Sequence, residues 1–251
     1  MLCIRYRQLP LFSLFYASRT GVETTWTLLA KMLYALSISV FVSACTSPPS
    51  QQQTAVLTAE QPTEVIVAAQ QGDQGRLRSL LTSGSPVNVV APVGSALDVA
   101  AHNGDTEAVI ALLRAGADPN VGLRAGAPSP LHYLAERGDA TGVKVLAAAG
   151  AKLDYPMANG ATALALAVQN GHLSTAKALI KAGADVNVVY AGRSLLMYVV
   201  EQNSLLMAQL LVDAGVDVNY RNATGDSALS TAQRKGLQDL QMLLLQSGAR
   251  S

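Results

Sequence analysis

The chain has 251 residues, half of them hydrophobic and 14% charged, with a formal net charge of +1. That length allows one or two domains. The near-neutral balance, with no basic block, argues against a nucleic-acid partner.

Residues 1 to 31 mix Arg5, Arg7, Arg19, Glu23 and Lys31 with short apolar patches and show no strong period. This pattern places the true start downstream, near Leu28 to Met32. Lys31 then precedes an apolar run, Met32 to Val42, which ends in Val42-Ser43-Ala44-Cys45. At about a dozen residues the run is too short to span a bilayer. The motif resembles the lipobox of a bacterial lipoprotein signal peptide. The resemblance implies cleavage before Cys45 and a lipid on its thiol. An ordinary secretory signal cut after Ala44 and an uncleaved anchor are the alternatives. Thr46, not Asp, follows the cysteine, which by resemblance to enterobacterial sorting implies an outer-membrane lipoprotein facing the periplasm. The inner membrane and the free periplasm are the other locations.

Residues 45 to 61 form the next division, a lipidated cysteine and a tether. TSPPSQQQTAVLTAE, from Thr46 to Glu60, is dominated by Pro, Ser, Gln and Thr and is expected to stay disordered. Its typical reach is on the order of 20 Å. Removal of residues 1 to 44 leaves 14 basic and 16 acidic residues and one cysteine, so no intrachain disulfide can form.

From residue 62 onward the sequence repeats. A glycine preceded by an apolar pair recurs at Gly84, Gly116, Gly150, Gly183, Gly215 and Gly248, at gaps of 32, 34, 33, 32 and 33 residues. GSPVN, GADPN, GAKLD, GADVN and GVDVN follow in register. The clearest copy is Ala158 to Asn187, with Thr162-Ala163-Leu164, Gly171-His172, Ala178-Leu179-Ile180 and Gly183-Ala184-Asp185-Val186-Asn187. Two short helices per unit are predicted. Neither can bury its apolar face alone, so stacked units must share one core. Ala100, Ala101, Ala135 and Ala167 mark the close helix contacts. The recurring glycine suits a left-handed helix cap, and Asp118, Asp154, Asp185 and Asp217 suit the turn after it.

This pattern resembles the ankyrin repeat, with Ala163 and Ala165 in place of the family's Pro and His; Ser129-Pro130-Leu131-His132 is the nearest match to that motif. The resemblance implies an all-α ankyrin-repeat solenoid over residues 62–251. About six helix-turn-helix repeats with short finger turns are expected, at about 62–90, 91–123, 124–157, 158–190, 191–221 and 222–251. Repeat five departs most: Asn203-Ser204 replaces Gly-His, and Met197 to Val200 replace small residues. Repeat six carries Gln238, Asp239, Gln241 and Gln246, as a terminal cap should.

No nucleophile elbow, phosphate loop or dinucleotide fingerprint is present. The three histidines do not form a zinc pattern. By resemblance, His132 reaches the backbone of a neighbouring turn and His172 caps a link between helices. His102 lies on the inner face. No catalysis, cofactor or metal is expected.

A surface is left as the binding element. In the family the concave face is built from turn tips and first-helix ends. It corresponds here to Gln70-Gln71, His102-Asn103, Glu136-Arg137, Gln169-Asn170, Glu201-Gln202 and Arg234-Lys235. The pairs read either as solvated helix ends or as a groove for a protein. Tyr155, Tyr190 and Tyr220 fall near the turn tips, with Arg193 and Asp226 on the fingers. Tyrosines there either contact a partner or pack on an adjacent finger. The expected contact zone is repeats three to six. A basic stripe, Arg114, Lys144, Lys177 and Lys181, runs along the second helices.

The implied function is protein binding by a monomeric array at the bacterial envelope, as a scaffold or adaptor. A periplasmic inhibitor or immunity protein that blocks a toxic effector is the alternative. An enzyme or small-molecule binder would need a pocket that the sequence does not display.

Overall fold

The computed structural model describes residues 57–58 and 61–250. The expected signal segment, Cys45 and most of the tether lie outside the described residues. Within them the chain forms six pairs of short helices. The pairs are α1 (Glu64–Gln71) with α2 (Gln74–Thr82), α3 (Ala96–Asn103) with α4 (Thr106–Arg114), and α5 (Pro130–Arg137) with α6 (Ala140–Ala148). They continue as α7 (Ala163–Gln169) with α8 (Leu173–Ala182), α9 (Leu195–Glu201) with α10 (Leu205–Asp213), and α11 (Ala228–Arg234) with α12 (Gln238–Gln246). The all-α repeat solenoid read from the sequence is the observed architecture.

Local chemistry sets the start of each first helix. Thr63, Ser95, Thr162, Ser194 and Ser227 stand in extended backbone, and each hydroxyl accepts from the amide three residues on. The helices are only 7 to 10 residues long. Isolated helices of that length are marginal in water, so packing must hold them. Asn203 takes the left-handed place that glycine holds in the other repeats, with φ of 54°. Asn tolerates that conformation better than most residues.

Between pairs the chain turns through short fingers. Strands β2 (Val89–Ala91) and β3 (Gly94–Ser95) form an antiparallel hairpin, and β1 (Leu57–Thr58) pairs parallel to β2. A second hairpin joins β4 (Val189–Tyr190) to β5 (Arg193–Ser194). The longer connection before repeat three bonds to the next finger instead, through the Ala158 amide donating to the Gly126 carbonyl.

One apolar core runs through the stack. Ala100, Ala101, Ala135 and Ala167 are fully buried, as their close helix contacts require. The terminal cap is visible at two registers. The position held by buried Ala69, Ala101, Ala135, Val168 and Val200 is Gln233 in repeat six, and it is exposed. The position held by buried Leu77, Val109, Val143, Ala176 and Ala208 is Gln241, whose amide donates to the Ala232 carbonyl. Met242 and Leu245 are nevertheless exposed on the same helix, so this cap is less polar than its glutamines suggest.

The faces define a stability test. Ala167→Asp places an unpaired charge in a closed helix contact and is expected to cost several kcal/mol, comparable with the whole stability of a domain. Gln169→Ala, on an exposed side chain, should change stability by under ~0.5 kcal/mol. Urea melts of both variants check this; equal midpoints would contradict the assignment of faces.

Candidate functional site

The inner face is formed by the C-terminal ends of the first helices and the adjacent fingers. The six polar pairs fall there in register, and the structure divides the five that follow Gln70-Gln71. The second member reaches back to a carbonyl of the preceding repeat. Asn103 donates to Ala69 O, Arg137 to His102 O, Asn170 to Glu136 O, Gln202 to Gln169 O and Lys235 to Glu201 O, at 2.6–3.3 Å. The carbonyls of His102, Glu136, Gln169 and Glu201 have no partner within their own helices, so the bonds satisfy them; Ala69 O also accepts from the Gly72 amide at its own helix cap, and all five bonds join the repeats. His172 adds a second donor at the Glu136 carbonyl, with Nε2 2.9 Å from Glu136 O. Its ring lies against Gly138, where any side chain would collide with it at 2.7 Å.

The first members point elsewhere. Glu136 and Gln169 are exposed, and their side chains have no hydrogen-bond partner among the described residues. Glu201 is held by Arg193 at 2.7 Å. In repeat six the same two registers carry the opposite charges, with Arg234 on Asp226 at 3.0 Å. Bonds from Thr224 and then from Arg234 hold the Asp226 carboxyl below its ordinary range.

The tyrosines are half-buried. The Tyr155 hydroxyl donates to Arg124 O on the preceding finger, and its ring meets His132 edge-on at 6.2 Å. Tyr220 packs on the core. Tyr190 stacks on Tyr198 at 5.6 Å, and the Arg193 guanidinium lies 5.8 Å from the Tyr198 ring centre. Tyr198 was missed by sequence reasoning, which saw in it only a bulky replacement on a first helix. Its alignment with the finger of its own repeat was the available signal. Burial, then the neighbouring Tyr190, raises the Tyr198 phenol.

His132 serves packing. Its Nδ1 faces both the Ser129 amide, at 3.1 Å, and the Ser129 hydroxyl, at 2.8 Å. Nε2 donates to Ala161 O of the next repeat at 3.2 Å. The amide can only donate, so Nδ1 must accept and the ring is neutral. Burial lowers the pKa of this ring, against smaller opposing effects from backbone carbonyls and Glu136.

A pocket of about 390 Å³ opens on the inner face of repeats one to three, lined by Gln70, Val93, Asp98, Val99, His102, Asn103 and Tyr133. The sequence did not display it. His102 contacts Tyr133 edge-on at 5.0 Å. No group of three His, Cys, Asp or Glu side chains suited to a metal occurs among the described residues. No described helix is long and apolar enough to cross a membrane.

The stacked helix pairs and their periodic face define a helical-repeat protein of the kind that is typically a non-catalytic interaction domain. The model of ankyrin repeats in three copies matches residues 97–190, and that of a single ankyrin repeat matches 191–223. The ankyrin repeat domain of Bcl-3, a unique member of the IkappaB protein family, is 30% identical, with a TM-score of 0.67 over 77% of this chain and 89% of its own. An ankyrin repeat domain from Acinetobacter baumannii AYE is 29% identical, with a TM-score of 0.68 over 74% of this chain and 98% of its own. No curated protein matches the sequence. The chain belongs to the ankyrin repeat family. Its first and last helix pairs lie outside the matched spans yet repeat the same geometry.

His132 yields a pH prediction. Its folded pKa lies below the ordinary 6.5, so the unfolded chain takes up a proton first as the medium is acidified. Stability from this group is complete above about 6.5 and falls as pH drops from there toward the lower folded value. Urea midpoints at pH 7.5 and 5.5 should fall for the wild type. His132→Asn, less stable at pH 7.5, should lose less on acidification.

Proposed function

We propose that this chain is a non-catalytic scaffold or adaptor that captures another protein on its inner face and is held at the bacterial envelope by a lipid on Cys45. The observation that carries the binding reading is the division of the polar pairs. One member of each of the last five pairs is consumed in joining repeats, which leaves Glu136 and Gln169 free at matching registers. Arg193, Glu201, Tyr190 and Tyr198 form a compact aromatic and charged cluster beyond them. Tyr and Arg supply contact area and bidentate bonding at interfaces. Arg137, Asn170 and Gln202 support that surface by holding neighbouring repeats in register, while Tyr155 and Tyr220 give its rim partly buried walls. The anchoring reading rests on Val42-Ser43-Ala44-Cys45 after a short apolar run.

Two experiments separate these claims. A photo-crosslinking amino acid at Gln169, on the inner face, should give a discrete protein adduct in the producing cell, whereas one at Lys144, on a second helix, should not. Adducts from Lys144 alone would place the interface on the outer helices. For the anchor, Cys45→Ala should abolish incorporation of a labelled fatty acid and leave a precursor of higher mass; label retained on the variant would contradict lipidation.

A further inference from the structure

Asp98 occupies a register that is otherwise apolar, small or neutral. The corresponding residues are Ile66, His132, Ala165, Met197 and Ser230. Its carboxyl closes a capping box: Oδ2 accepts from the Ser95 amide and from the Ser95 hydroxyl, both at 2.8 Å. Oδ1 accepts no hydrogen bond, and Asp98 has no ion-pair partner among the described residues. Arg124 acts on the carboxyl only through space. A half-used carboxylate therefore lines the pocket of repeats one to three.

We propose that this pocket binds a primary ammonium group, the lysine side chain of a protein segment lying on the inner face. The proposal rests on the partner-binding reading above and gives it a chemistry. A carboxylate in a partly desolvated pocket attracts a cation more strongly than one in open water. The choice of lysine over arginine follows from the bonding pattern. A guanidinium bonds carboxylates best through both oxygens at once, and Oδ2 is already taken twice by Ser95. An ammonium is a compact charge that needs one strong acceptor, which Oδ1 supplies. Its remaining donors find amide oxygens available in kind: Asn103 spends its NH₂ on Ala69 O, which leaves its own oxygen uncommitted, and Gln70 lines the same wall. Val93, 52% exposed, with Val99 and the Tyr133 ring, offers apolar surface to a four-carbon stem. Burial raises the Asp98 pKa, as expected of a carboxylate awaiting a counter-charge.

The test uses the full chain and two capped tripeptides, acetyl-Gly-Lys-Gly-amide and its neutral norleucine analogue. Side-chain NMR signals of Tyr133 and His102 report occupancy. The lysine peptide should shift both signals saturably and the norleucine peptide should not. Asp98→Asn keeps the shape and an oxygen for Ser95, and it should weaken lysine binding about tenfold or more, as expected from loss of one charge-assisted bond. Equal shifts from the norleucine peptide, or unchanged affinity in Asp98→Asn, would overturn the ammonium site. Either result would leave the crosslinking at Gln169 to judge partner binding separately.

Discussion

The fold depends on coupling between neighbouring repeats, because no helix among the described residues is long enough to stand alone. Burial supplies the energy, and a periodic set of side-chain bonds fixes the register. A residue in the turn between each second helix and the finger that follows reaches across to the next repeat. Asn88 accepts from the Asp118 amide, Asn120 from Lys152, Asp154 from Asp185, Asn187 from Asp217 and Asn219 from Arg250, all at 2.7–2.9 Å. Asn88, Asn120 and Asn219 also donate to Gly116, Gly150 and Gly248. Those glycines end second helices, where carbonyls lack helical partners. Asp154 has no NH₂ group and makes only the accepting half of the link.

The coupling is uneven along the array. In repeats one to three the second helices start at Asp73, Asp105 and Asp139, each capping its own helix. Gln74 and Thr106 bond forward to Asp105 and Asp139. His172, Ser204 and Leu237 replace these aspartates later, and none makes a side-chain cap. In a linear array stability is roughly a sum of repeat and neighbour terms, so the junctions of the first three repeats are more heavily bonded than the last two.

Much of this was legible in the sequence, for a physical reason. A register that must be small, or must adopt a left-handed turn, admits few residue types, and Ala100, Ala167 and the closing glycines declare themselves. The polar pairs are visible in the sequence by their period, but their division was hidden. Both members are polar, and only geometry reveals that Asn170 turns back to Glu136 O while Gln169 faces outward. The Tyr190–Tyr198 stack joins a finger to its own helix, which a reading by period does not compare. The pocket at Asp98 was hidden because it is made by three repeats. An acid at a register otherwise apolar, small or neutral was its one sequence signal.

The coupling is tested most directly by hydrogen exchange of single amides. The amides of Asp118, Lys152, Asp185, Asp217 and Arg250 should exchange slowly although they lie in surface turns, and Asn120→Ala should free Lys152 alone among the five. If these amides exchange as fast as unbonded turn amides in the wild type, or if Asn120→Ala leaves Lys152 protected, the proposed link between repeats is wrong.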